Sequence, residues 1–158
     1  METQTITESQ TVTIENVLTK TAVIEPGRSV KELFLECGRA QVQALPYRDK
    51  QGKLSGRITL KNVLRVSCLP EYMVDLASML GPQLSCVDSA EAKAREILSN
   101  PVEPYIQPLP KTIDSAAPLI KALAFMEKND TSYIFVVDDG EYRGIITIQG
   151  IAHKMTEM

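Results

Sequence analysis

The sequence has no tryptophan, three phenylalanines and five tyrosines, so aromatics make up 5% of a chain that is 44% hydrophobic. Its core is therefore aliphatic, built from Val, Ile, Leu, Ala and Met. There is a single histidine, His153. One histidine leaves too few nitrogen ligands for a zinc centre, and Cys37, Cys68 and Cys86 lack C-x-x-C spacing. Three unpatterned thiols suit buried small side chains in a reducing cytoplasm rather than a disulfide framework. Long hydrophobic runs are missing as well. The longest strongly apolar stretch, Ile134-Phe135-Val136-Val137, is too short to span a bilayer, and no basic, apolar leader opens the chain. A net charge of −3 gives no basic footprint, which argues against nucleic-acid binding by bulk electrostatics. No G-x-S-x-G, P-loop or H-E-x-x-H occurs, and no cysteine is placed with a second base, so an enzyme is not expected. The acidic Asp138-Asp139-Gly140-Glu141 lacks the alternating ligands and closing Glu of a calcium loop and reads as a turn.

What the chain does have is a repeat. The pattern G-x-x-x-G-x-I-T occurs at Gly52-Lys53-Leu54-Ser55-Gly56-Arg57-Ile58-Thr59 and again at Gly140-Glu141-Tyr142-Arg143-Gly144-Ile145-Ile146-Thr147, at a constant offset of 88. The correspondence continues through Leu60 with Ile148 and Val63 with Ile151, which implies duplication of a whole supersecondary unit.

The same element order is expected in both copies. In the first, Ile14 to Leu18 gives a helical turn or two and Thr21 to Ile24 a short strand. Ser29 then caps a helix to about Arg39, with Glu32 at the capping-box position and Val30, Leu33, Phe34 and Cys37 on one face. A hairpin follows, Val42–Tyr47 and Leu54–Ile58 around a turn at Gly52, and Thr59 opens a helix. In the second copy, Lys111 to Ile113 is the short strand. Asp114 or Ser115 caps a helix with Pro118 in its first turn and a buried stripe of Ala116, Leu119, Ile120, Leu123 and Met126. Strands Tyr133–Val137 and Tyr142–Ile146 form the hairpin, and Thr147 opens the last helix. Gly56 and Gly144 are expected where backbones approach closely or a strand bulges. Between the copies, Met73, Leu76, Ala77 and Leu80 form an inserted amphipathic helix. Ala90, Ala94, Ile97 and Leu98 form the lead-in helix of the second copy, capped by Asp88 or Ser89. Pro101, Pro104, Pro108 and Pro110 then force an extended path. The expected organisation is a flexible start at 1–11, a first motif at 12–68, a helical connection at 69–88 and a second motif at 89–158.

A unit of strand, helix, hairpin and helix ending in G-apolar-x-T-x-x-D resembles the CBS (cystathionine-β-synthase) domain, and two in one chain resemble a tandem CBS pair. Leu45-Pro46-Tyr47-Arg48-Asp49 and Gly56 to Asn62 carry the resemblance in the first copy, Ile134 to Asp138 and Gly144 to Gly150 in the second. The resemblance implies an α/β (α+β) fold of two β-α-β-β-α units packed with pseudo-two-fold symmetry. It also implies a non-catalytic regulatory role, with AMP, ADP, ATP or S-adenosylmethionine as ligand in a cleft between the motifs and no required cofactor or metal. The homodimer it commonly implies would act on an unidentified regulated protein, in the cytoplasm, with no nucleic acid or membrane involved. The implied site residues are Ala44, Leu45, Pro46, Thr59, Asn62 and Arg65 in the first copy, and Tyr133, Ile134, Thr147 and His153 in the second. The family's ribose-binding Asp is replaced by Asn62 and by Gly150, and Phe135 stands where the family has Pro. A pair kept only as a dimerisation or protein-interaction scaffold is the alternative that these replacements leave open.

Overall fold

A computed structural model describes residues 12–68 and 90–157. The expected flexible start, the helix at 73–80, Cys86 and the caps Asp88 and Ser89 lie outside the described residues. The chain divides into two compact units, residues 22–109 and residues 1–21 with 110–158. This division differs from that of the repeats. The lead-in helix of each repeat sits in the unit that holds the other repeat's hairpin, because the apolar face of a short helix is buried wherever a matching sheet face is open.

In the unit of residues 22–109, helix α2 (Val30–Ala40) starts as expected, with Ser29 Oγ accepting the Glu32 N–H at 3.2 Å. Val30, Leu33 and Cys37 are buried, and Phe34 is half-buried. Strands β1 (Ala44–Arg48) and β2 (Leu54–Thr59) pair antiparallel, and the two-residue β3 (Gln107–Pro108) extends the sheet in the order β1-β2-β3. Asp49 accepts the N–H groups of Gln51 and Lys53, and Gly52 takes φ +81°, which closes the hairpin. Helix α3 (Leu60–Cys68) follows β2 directly. Helix α4 (Ala90–Ser99) buries Ile97 and packs on α2. The strand expected at Thr21–Ile24 is reduced to a single parallel bridge of Ile24 to Tyr47, since Pro26 and Gly27 turn the chain away at once. Pro104 does not extend the chain either. It sits in a 3₁₀ turn, Glu103–Tyr105, where its missing N–H is unneeded.

In the other unit, α1 (Ile14–Val17), α5 (Leu119–Lys128), the antiparallel pair β4 (Tyr133–Asp138) and β5 (Glu141–Thr147), and α6 (Ile148–Thr156) surround one core. Ile14, Val17, Ile113, Ala122, Met126, Ile134, Val136, Ile146 and Ile151 form it. The predicted stripe of α5 is corrected by the structure: Ile120 and Leu123 are exposed, and Ala116 lies outside the helix. Asp114 folds 114–117 into a turn, so the helix starts at Leu119 and its buried face rotates to Ala122 and Met126, flanked by Leu119 and Phe125. The expected strand at 111–113 is a single bridge of Ile113 to Val136. Phe135 is fully buried on the face of β4 opposite Ile134, against the rings of Tyr133 and Tyr142. Of the thiols, Cys37 is a buried small side chain as expected, its pKa pushed up to about 12 by burial and then by Glu36, whereas Cys68 is exposed.

The second glycine of each repeat has a visible cause. A Cβ on Gly56 would stand 2.6 Å from Ile106 and 2.9 Å from the Gln107 carbonyl. A Cβ on Gly144 would stand 2.5 Å from the Thr19 carbonyl, and its φ of +153° strains any other residue. Thr19 and Ile145 exchange two backbone hydrogen bonds of 2.9 Å there. Each glycine therefore admits the segment that leads into the other repeat. The bulges fall beside them, at Tyr47/Arg48 and Val136/Val137.

Candidate functional site

Alternation along β1 and β2 sorts the first-repeat residues onto two faces. Leu45 pairs with Ile58 and Tyr47 with Gly56 on one face; Ala44 pairs with Thr59 and Pro46 with Arg57 on the other. Ala44, Leu45 and Pro46 are buried. Thr59 ends β2, and its Oγ1 accepts the Asn62 N–H at 3.0 Å, so it caps α3. Asn62 is only 8% exposed. Its Nδ2 donates to the Tyr105 carbonyl at 3.2 Å, and its Oδ1 accepts from an Arg65 Nη at 2.9 Å. The structure thus brings Thr59, Asn62 and Arg65 together over the first two turns of α3. Both ends of the Asn62 amide are engaged within the protein, which makes this side chain a holder for Arg65.

Tyr105 completes the arrangement and was not anticipated. Its carbonyl takes Asn62, while its hydroxyl accepts from Ser67 at 3.0 Å and Asn100 at 3.2 Å. No local signal points to it, since it lies in a proline-rich stretch 43 residues from Asn62. Arg57 is the second such residue. It is half-buried on the Pro46 and Thr59 face, and the missed signal is its counterpart, the core residue Ile145, at the repeat offset.

The second repeat is built differently. Tyr133, Ile134 and Thr147 are buried, and Thr147 Oγ1 caps α6 by accepting the Gly150 N–H at 2.9 Å. A Cβ on Gly150 would meet that oxygen at 3.0 Å, a tight approach, with the Val17 carbonyl of α1 in ordinary contact at 3.7 Å. With no side chain at 150 to bind, His153 points to solvent and pairs with Glu157 at 3.3 Å. His153 is not brought together with Thr147 as Arg65 is with Asn62 and Thr59. The 138–141 segment is a hairpin turn, with Asp139 and Gly140 at positive φ, and the Asp138 carboxylate takes the Ser115 hydroxyl and amide and the Arg143 guanidinium. Among the described residues no three His, Cys, Asp or Glu side chains gather as metal ligands, and no helix is long and apolar enough to cross a membrane.

Residues 94–157 match the family model for the CBS domain. No curated protein matches the sequence. Among solved structures, the CBS domain of a CBS-domain-containing membrane protein from Sphaerobacter thermophilus is 19% identical with a TM-score of 0.65, covering 96% of this chain and 93% of its own. The protein CBSX2, solved in complex with AMP, is 20% identical with a TM-score of 0.61, over 92% of this chain and 97% of its own. The CBS domain pair of protein MJ0100, in complex with 5′-methylthioadenosine and S-adenosyl-L-methionine, is 21% identical with a TM-score of 0.57, over 93% and 98%. The chain has the fold of a tandem CBS domain pair, and the match to the family model falls on its second repeat.

Proposed function

We propose that this tandem CBS domain pair is a non-catalytic regulatory module that takes an adenine nucleotide at its first repeat. The site is formed by Ala44, Leu45, Pro46, Thr59, Asn62 and Arg65. One observation carries the reading: the 2.9 Å bond from Arg65 to Asn62 holds a guanidinium one turn along α3 from its Thr59-capped start. A guanidinium has five N–H donors, and the bond to Asn62 uses one, so its planar fork suits a phosphate beside a helix N-terminus. The AMP and S-adenosyl-L-methionine complexes of the similar structures support the ligand class: AMP, ADP, ATP or S-adenosylmethionine. The ligand is a regulator rather than a required cofactor, and it acts by favouring one of two arrangements of a cytoplasmic homodimer or of a regulated partner. Tyr133, Ile134, Thr147 and His153 are the weaker counterpart, because Gly150 supplies no ribose contact. Gly150 and the buried Phe135 favour a second reading, in which the fold is kept as a scaffold without nucleotide binding.

Thermal-shift titration with AMP, ADP, ATP and S-adenosylmethionine separates the two. Ligand at a hundred times its Kd adds about 2.7 kcal/mol to stability. No shift with any of the four at millimolar concentration leaves only the scaffold. Where one binds, Arg65→Gln weakens it by about tenfold, as expected for losing one charge-assisted hydrogen bond, and Asn62→Ala weakens it by releasing Arg65.

A further inference from the structure

We propose that the first-repeat site recognises a nucleotide by its phosphate and leaves the ribose diol unread, because Asn62 is built as a bracket for Arg65. The proposal rests on the nucleotide reading above and names the part of the ligand that is recognised. A vicinal diol presents two hydroxyl donors side by side, and a carboxylate meets both with its two acceptor oxygens. An amide has one acceptor oxygen and a nitrogen that only donates. At position 62 both are committed inside the protein. Nδ2 donates to the Tyr105 carbonyl at 3.2 Å, Oδ1 accepts from Arg65 at 2.9 Å, and the residue is 8% exposed. A carboxylate in this place would set an oxygen against the Tyr105 carbonyl with no hydrogen between them. The Tyr105 carbonyl therefore requires an amide at 62.

That carbonyl is itself fixed. Tyr105 is buried, its N–H donates to the Val102 carbonyl at 2.9 Å, and its hydroxyl accepts from Ser67 and Asn100. Ser67 belongs to the same helix as Asn62, so Tyr105 grips α3 at two points. Turning Asn62 toward a ligand would leave a buried carbonyl unpaired. What the site side chains offer instead is donors. Arg65 keeps the N–H groups that Asn62 does not use, and Thr59, whose oxygen accepts the Asn62 N–H, keeps its hydroxyl hydrogen. Ala44, Leu45 and Pro46 add no polar side chain. A set of donors with a guanidinium among them suits phosphate oxygens, which only accept. Glu103 is held elsewhere, against the Gly27 amide and the hydroxyl of Tyr47, whose side chain leaves β1 on the face opposite Ala44 and Pro46.

Isothermal titration of the full chain with AMP, 2′-deoxy-AMP and adenosine tests the proposal. AMP and 2′-deoxy-AMP are expected to bind within about twofold of each other, and adenosine at least about tenfold more weakly, the loss of a charge-assisted contact. Arg65→Gln should bring both nucleotides down toward the adenosine level. AMP binding about tenfold more tightly than 2′-deoxy-AMP shows that the diol is read; it overturns the proposal and leaves the nucleotide reading standing. Adenosine binding as tightly as AMP, or an Arg65→Gln variant that weakens adenosine as much as AMP, does the same, since the phosphate is then not what Arg65 holds. No binding by any of the three removes the nucleotide reading and this proposal with it. The comparison of the three ligands on the wild-type chain needs no variant, so it decides even if Arg65→Gln fails to fold by circular dichroism.

Discussion

Asp138 shows how much a single carboxylate on a turn can depend on residues remote in sequence. It accepts the Ser115 hydroxyl at 2.6 Å and the Ser115 amide at 2.9 Å, and Arg143 donates to it at 2.8 Å while also reaching Glu15 at 3.1 Å. The Ser115 hydroxyl first, then its amide, then Arg143 hold the Asp138 pKa below its ordinary value of 3.8. A group whose pKa is lower folded than unfolded contributes stability above the unfolded value and loses it as pH falls through the folded one. Asp138→Asn is therefore expected to be less stable than the wild type at neutral pH. The gap should close as pH drops below 3.8, read by urea denaturation across that range. A gap that stays constant with pH would show that the carboxylate's charge is not what matters. The sequence marks 138–141 as a turn, because consecutive Asp, Asp and Gly are local turn chemistry. It does not show Ser115, 23 residues away.

At the scale of the element, each repeat's second glycine is the point where a strand meets a foreign segment. Gly144→Ala places a methyl 2.5 Å from the Thr19 carbonyl at a φ that disfavours any side chain, and about 2–4 kcal/mol of destabilisation is expected. Gly52→Ala, also at positive φ but with nothing within 4 Å, should cost only about 1 kcal/mol. Chemical denaturation of both variants checks the difference; equal costs would remove the crowding argument. Close approach at these glycines is legible in their spacing, but the identity of the approaching segment is not. Helix caps were legible at Ser29, Thr59 and Thr147, since a hydroxyl three residues before its partner N–H is a local relation. The face of α5 was not. The stripe expected through Ile120 and Leu123 gave way to one through Ala122 and Met126, because the turn at Asp114 delays the start of the helix to Leu119.

For the whole molecule, the exposed apolar side chains Leu64 and Val66 on α3 and Ile120 and Leu123 on α5 are consistent with the proposed association. Light scattering at micromolar concentration is expected to give twice the 17.5 kDa chain mass, and Val66→Asp or Ile120→Asp should shift it toward one. A wild-type monomer throughout that range removes the homodimer. The duplication, the aliphatic core, the two hairpins and the caps at Ser29, Thr59 and Thr147 were determined by sequence alone, because each rests on periodicity or on hydrogen bonds spanning a few residues; the cap expected at Asp114 or Ser115 was not, since the helix starts after Pro118. Only the tertiary structure decided that α1 joins the second repeat's hairpin, that the Tyr105 carbonyl holds Asn62, and that Gly150 is backed by Val17. Those contacts join residues far apart along the chain. Local propensity carries no information about such pairings; they are fixed by which apolar faces and unpaired backbone groups remain to be satisfied once the local elements have formed.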